Sequence, residues 1–229
     1  MTYLTKEQFD QMVDEMFRMQ REINEKIEAD QSVDFELAAM DEAMELINHF
    51  DWKWWKKPSN VDPEKVKRRV QMELVDIFHF DISTRLNPNR YYIKRLLDES
   101  LIDSEFKFDN ESILYFSKRY ITSNFSQQFL FDLMHSCGMT FKDVYLLYIA
   151  KNVLNEFRQE NGYKTGKYIK IWDKEGNEDN DYLQDAVDGI ARAVSLPDLQ
   201  TIRSLIKEAL SSKYSDVVIR MVSLIKDWR

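Results

Sequence analysis

Glycine and proline are scarce, five and four in 229 residues. All-β chains need frequent turns, and doubly wound α/β chains need a tight loop at each strand end, so this shortage favours helices. Cysteine is rarer still: Cys137 stands alone and cannot form an internal disulfide, which points to an intracellular, cytoplasmic protein. No apolar run approaches the roughly 18 residues of a membrane span, and the first segment is amphipathic and charged rather than signal-like. Positive charge is also in deficit. A net charge of −8 and a pI near 5.1 argue against a general nucleic-acid binder, which needs a cationic footprint. What remains is 44% hydrophobic and 31% charged, the balance of a soluble globular chain long enough to bury a core. With no internal repeat and no low-complexity linker, one all-α domain over 1–229 is expected, with room for a more mobile C-terminal part.

The helices announce themselves by caps and periodicity. Thr5 and Gln8 form a capping-box pattern. Beyond them Phe9, Met12, Val13, Met16, Met19, Ile23 and Ile27 recur at spacings of three and four, giving a first helix to about Ile27. A second runs from near Asp34 to about Phe50, with Leu37, Met40, Met44 and Ile47 on one face. Trp52 to Lys57 is an aromatic-basic segment closed by Pro58, in which Trp52 and Trp54 read as packing residues. Asp62-Pro63 opens a third helix to about Arg85. Residues 91–135 divide into two or three shorter helices. Thr140 to Asp143 is another cap, for a helix that Asn161-Gly162 ends. Tyr163 to Asn180 reads as a loop or hairpin-like stretch, and two closing helices are expected near 197–210 and 215–228.

Two acidic pairs stand out. Glu42 and Glu45 sit three apart on the second helix, about 60° apart around its axis and so on one side. Alone that is an ordinary solvated face. Glu73 and Asp76 are more informative, because apolar residues wrap nearly all around Val70 to Phe80 and such a helix is mostly buried. A desolvated carboxylate costs several kcal/mol unless it is paired or bound to a cation. Arg68 or Arg69 could supply a structural salt bridge. The other solution is a hard divalent cation, for which magnesium suits an oxygen-only ligand set. A di-iron bundle would need Glu-x-x-His twice; Asp76-x-x-His79 fits loosely once, whereas Asn48 follows Glu45.

A basic motif lies farther along. Lys151, Asn155 and Arg158 form one polar stripe by their spacing, and Tyr163, Lys164 and Lys167 continue it into a loop bounded by two glycines. Cations of this density suit phosphate oxygens. Surface salt bridging with Glu156 and Glu160 is the plainer account.

Taken in order, Asp41 to Leu46, Trp52 to Lys56, Glu73 to Asp76 and Lys151 to Lys167 resemble the dimeric dUTPases, members of the all-α pyrophosphohydrolase superfamily that includes the MazG-type enzymes. The resemblance spans roughly 10 to 170. It implies an all-α helical bundle, a homodimer, and Mg²⁺-dependent hydrolysis of dUTP, and of dUDP, to dUMP. It implies that Glu42, Glu45, Glu73 and Asp76 hold the metal, with Glu42 as the base that activates water at the α-phosphorus. Lys151, Asn155, Arg158, Tyr163, Lys164 and Lys167 would grip the phosphates. Gln20 and Asn24 match amides set against uracil, Trp55 a tryptophan of the nucleoside pocket, and His79 and Phe80 positions near the sugar. Two rivals stay open: a dCTP or general dNTP pyrophosphohydrolase, and a non-catalytic helical interaction protein.

Overall fold

In the computed structural model, residues 4–28, 33–58, 60–86, 107–192 and 198–226 are described. The region expected to hold short helices therefore falls partly outside them, at 87–106. Contacts divide the chain into two compact units, Met1–Tyr148 and Ile149–Arg229.

The first unit is built from α1 (Lys6–Glu28), α2 (Phe35–Asn48), α3 (Pro63–Leu86), α4 (Asn110–Thr122), α5 (Gln127–Ser136) and the opening half of α6 (Phe141–Glu160). Its starts follow the expected chemistry. The Thr5 amide donates to Gln8 Oε1 and the Gln8 amide to Thr5 Oγ1, at 2.9 and 3.2 Å. Asp34 caps α2 by accepting from Leu37 N, and Thr140 and Asp143 exchange the same reciprocal bonds ahead of α6. Each bond satisfies an amide that the helix itself cannot.

Helix α2 packs on α3, and α1 on the same helix. That makes α3 the axis of the unit and explains its apolar girdle: Val70, Met72, Leu74, Val75, Ile77 and Phe78 are all buried. Phe9 meets Phe141 at 4.5 Å between ring centroids, tying α1 to α6. The buried Asp81 carboxylate is well paired. Asp81 accepts both Arg85 Nε and Nη2, at 2.6 and 2.9 Å, and the Tyr120 hydroxyl. Burial pushes the Asp81 carboxyl up from its ordinary value against the pull of Arg85 and Tyr120. Phe108 and Cys137 form an isolated antiparallel bridge. Gly138 beside it has φ +67°, and an added Cβ would stand 3.0 Å from the Phe108 nitrogen, so glycine is required there.

The second unit holds the rest of α6, a 3-10 turn at Tyr163–Thr165, α7 (Asp179–Ala191) and α8 (Leu199–Lys226). Its centre is aromatic: Trp172, Tyr214 and Phe157 meet at centroid distances of 5.4 to 6.5 Å. Ile171 pairs with Glu178 in an isolated bridge, which gives the hairpin-like character expected of that stretch.

One element was missed and one expectation is corrected here. Helix α7 is not announced by the patterning, since its cap pairs Glu178 with Asp181 instead of a hydroxyl with a glutamate. The two closing helices are one. Ser211 to Ser215 resembles a break, yet Ser215 Oγ donates to Ser211 O at 2.9 Å and Tyr214 is buried, so the helix continues through it. No helix among the described residues is long and apolar enough to cross a membrane.

Candidate functional site

Because α2 packs on α3, Glu42 of α2 comes to the acidic pair of α3. Glu42, Glu73 and Asp76 each offer a carboxylate oxygen within 4.8 Å of the others, and all three are half-buried. The edge-of-core placement expected of Glu73 and Asp76 is what α3 displays. Glu45 is exposed and is not in that group.

Two tests of fit can be made. Oxygens sharing one octahedral Mg²⁺ are roughly 3 to 4.2 Å apart, given Mg–O near 2.1 Å, so the observed spacing needs only a small closing movement. The donor set is all oxygen, which also suits a hard cation. Carboxylates this close repel one another, and a cation between them reverses the sign.

His49, at the C-terminal cap of α2, places Nε2 at 2.8 Å from Glu73 Oε1. Sequence reasoning missed His49 because a lone histidine 24 residues from its partner carries no pattern. A histidine so placed fixes the orientation of the Glu73 carboxylate. His49 also lines an open cavity of about 750 Å³, together with Trp52, Lys67, Lys107, Phe108 and Asn110. Lys67 and Lys107 at this opening can receive an anionic ligand, although Glu42, Glu73 and Asp76 do not themselves line it.

Trp54 is 88% exposed, and Trp52 and Trp55 are exposed as well, so Trp52 and Trp54, read as packing residues, pack against the ring of Trp55 and not in the core. The segment is a turn rather than a helix. Its rings pack on one another, Trp55 edge-on to both neighbours at 5.5 Å, and Lys53 sits over Trp52 at 5.2 Å.

A second group forms where α1, α3 and α6 meet inside the first unit. Gln20, Asn24 and His79 are brought together there and are buried. Gln20 Oε1 accepts from the Tyr148 hydroxyl at 2.6 Å and lies 2.9 Å from His79 Nδ1. Gln20 Nε2 donates to Asn24 Oδ1 at 3.1 Å and to Ser83 Oγ at 2.8 Å. The His79 ring stacks on Tyr148 at 3.8 Å and 15°. Burial raises the Tyr148 pKa well above its ordinary value, so the hydroxyl stays a donor. Phe80 is half-buried beside this group in sequence. Gln20, Asn24, Trp55, His79 and Phe80 do not line the large cavity.

The basic motif belongs to the second unit. Arg158 is not a free surface cation. Its Nε and Nη2 donate to Asp179, both at 2.8 Å, and Asp179 is wholly buried. Arg158 Nη1 reaches Asn155 Oδ1 at 3.3 Å. Lys151 is buried, with Nζ 3.3 Å from Asn180 Oδ1. Glu156 and Glu160 do form ion pairs, but with Arg203 and Lys207 of α8. Tyr163, Lys164 and Lys167 are exposed. Gly162, at φ +87°, turns the chain from α6 into that loop as expected.

A family model described as dUTPase matches residues 12–163. No curated protein matches the chain.

Proposed function

The chain belongs to the dUTPase family, and from that premise we propose how it performs dUTP hydrolysis, the activity of a dUTP diphosphatase. The observation that carries the reading is the convergence of Glu42, Glu73 and Asp76 on one half-buried point. These three, joined by Glu45, hold Mg²⁺. When bound, the metal neutralises phosphate charge and makes water a better nucleophile. Glu42 accepts the proton of the water that attacks the α-phosphorus. The bond from that phosphorus to the bridging oxygen breaks, giving dUMP and pyrophosphate; dUDP gives dUMP and phosphate. Lys151, Asn155, Arg158, Tyr163, Lys164 and Lys167 donate to the phosphate oxygens, which stabilises charge as it shifts to the leaving group.

Gln20, Asn24 and Trp55 form the base subsite, and His79 and Phe80 flank the sugar. The same reading makes the protein a cytoplasmic homodimer that acts on free nucleotides, not on nucleic acid or at a membrane, and so limits uracil in DNA.

A panel of dNTPs with and without Mg²⁺ tests it. Pyrophosphate release should be fastest from dUTP and should need the metal. Glu73→Ala should abolish most turnover. Release from dCTP at an equal rate would defeat the base assignment. Turnover that survives Glu73→Ala would defeat the metal site, and no activity on any dNTP would favour the interaction protein.

A further inference from the structure

The buried amide cluster has a polarity, and its anchor is a residue outside the site described so far. Ser83 lies one turn beyond His79 on α3, is 1% exposed, and donates its hydroxyl proton to the His79 carbonyl at 2.9 Å. A main-chain carbonyl can only accept. The other group Ser83 donates to, Asn24 Oδ1, is an acceptor as well, and a hydroxyl whose single proton is shared between two acceptors offers Gln20 lone pairs alone.

The consequence passes along the cluster. Gln20 must turn Nε2, not Oε1, toward Ser83 Oγ, which it meets at 2.8 Å. The carboxamide is planar, so Oε1 then faces the other way, toward the Tyr148 hydroxyl and His79 Nδ1. All four hydrogen-bonding positions of the Gln20 amide are used. The second Nε2 proton goes to Asn24 Oδ1 at 3.1 Å, and Ser83 Oγ donates to that oxygen at the same distance. Asn24 is held oxygen-inward. Its Nδ2, with no partner among the described residues, is the end of the amide turned away from the cluster. An amide flip reverses donor and acceptor at almost no change in shape, so this orientation is chemical information rather than packing.

We propose that Ser83 is a positioning residue for base choice: through Gln20 it fixes Asn24 with an N–H donor outward, matched to the 4-carbonyl of uracil and mismatched to the 4-amino group of cytosine. This rests on the reading of Gln20 and Asn24 as the base subsite. Ser83 touches no substrate itself. Tyr148 does the same work from the far side by donating to Gln20 Oε1. Gln20 thus acts as the relay, and Asn24 as the contact.

Affinities for dUMP and dCMP, measured by calorimetry, test this without turnover, and kcat/KM for dUTP and dCTP supplies the second reading. Ser83→Ala frees the amides to flip, and the preference for the uracil nucleotide should fall at least about tenfold. Loss of packing alone would weaken both nucleotides in proportion, and an unchanged ratio overturns the proposal. Tyr148→Phe keeps the ring over His79 and removes only the donor. Its ratio should fall as well, and it decides the matter if Ser83→Ala does not fold. Asn24→Ala separates the two levels of the argument. If it removes the preference while Ser83→Ala and Tyr148→Phe keep it, the subsite stands and the positioning role fails. If Asn24→Ala leaves the preference intact, the subsite reading itself fails and the proposal with it.

Discussion

Replacing Asp179 by alanine strips Arg158 of the buried carboxylate that meets its fork. The Asp179 side chain is fully buried and that of Arg158 only 11% exposed, so solvent can do little to screen the charge left behind. The native carboxylate accepts Arg158 Nε and Nη2 at 2.8 Å, the Tyr168 hydroxyl at 2.9 Å, and the Asn180 amide at 2.9 Å. Removing one partner of such a pair costs about 3–5 kcal/mol, chiefly as the penalty of an uncompensated buried ion. Asp179 also begins α7, where a negative charge contributes roughly 0.3–1 kcal/mol against the helix dipole. A loss near 4 kcal/mol is therefore expected, large against the 5–15 kcal/mol that holds a typical domain together. Urea unfolding of Asp179→Ala, Arg158→Ala and the double variant measures it. The double variant should be less unstable than the two single losses added, because the second change removes the ion stranded by the first. Additive losses, or a change below about 1 kcal/mol for Asp179→Ala, would refute the view that Arg158 is held by this pair. Arg158 would then be available to phosphate alone, and its replacement would lower kcat/KM without touching stability.

Three further expectations concern separate parts of the chain. His49→Ala removes the donor on Glu73 and should weaken Mg²⁺ or Mn²⁺ binding by about 10–100-fold; calorimetry with unchanged affinity would make the contact incidental. Leu74 is fully buried in α3, and Leu74→Ala should destabilise by about 2–5 kcal/mol, read as a lower urea midpoint at unchanged slope. Asp173 is raised by burial but lowered more by the Tyr182 hydroxyl and by Asn177, which bring its carboxyl down to about 2. A depressed folded pKa means that the unfolded chain binds the proton first. The stabilisation is whole above the unfolded value near 3.9 and is lost as pH falls from there through about 2. Asp173→Asn should flatten stability across that window, and an unchanged acid transition would refute the assignment.

How much of this was legible in the sequence depends on the distance between partners. Residues that act within one turn were readable. The reciprocal bonds of Thr5 with Gln8 and Thr140 with Asp143 follow from side-chain type and spacing. The girdle around Glu73 and Asp76 foretold their half-buried place, because a helix apolar on every side has nowhere to lie but the core. The partners that complete each site were not readable. Glu73 meets His49 from another helix, and Arg158 meets Asp179 across a turn-rich stretch. Gln20 shows the limit most clearly. With Asn24 one turn on, it has the look of an ordinary exposed polar face, yet it is 4% exposed. The groups that make burial tolerable are Ser83, 63 residues away, and Tyr148, 128 away. A lone buried carboxamide would cost more than its helix could recover. The fold can bury Gln20 only because α3 and α6 deliver an acceptor to one end of the amide and donors to the other. The partners that permit burial also set which way the amide points, so packing and amide orientation in this cluster rest on the same hydrogen bonds.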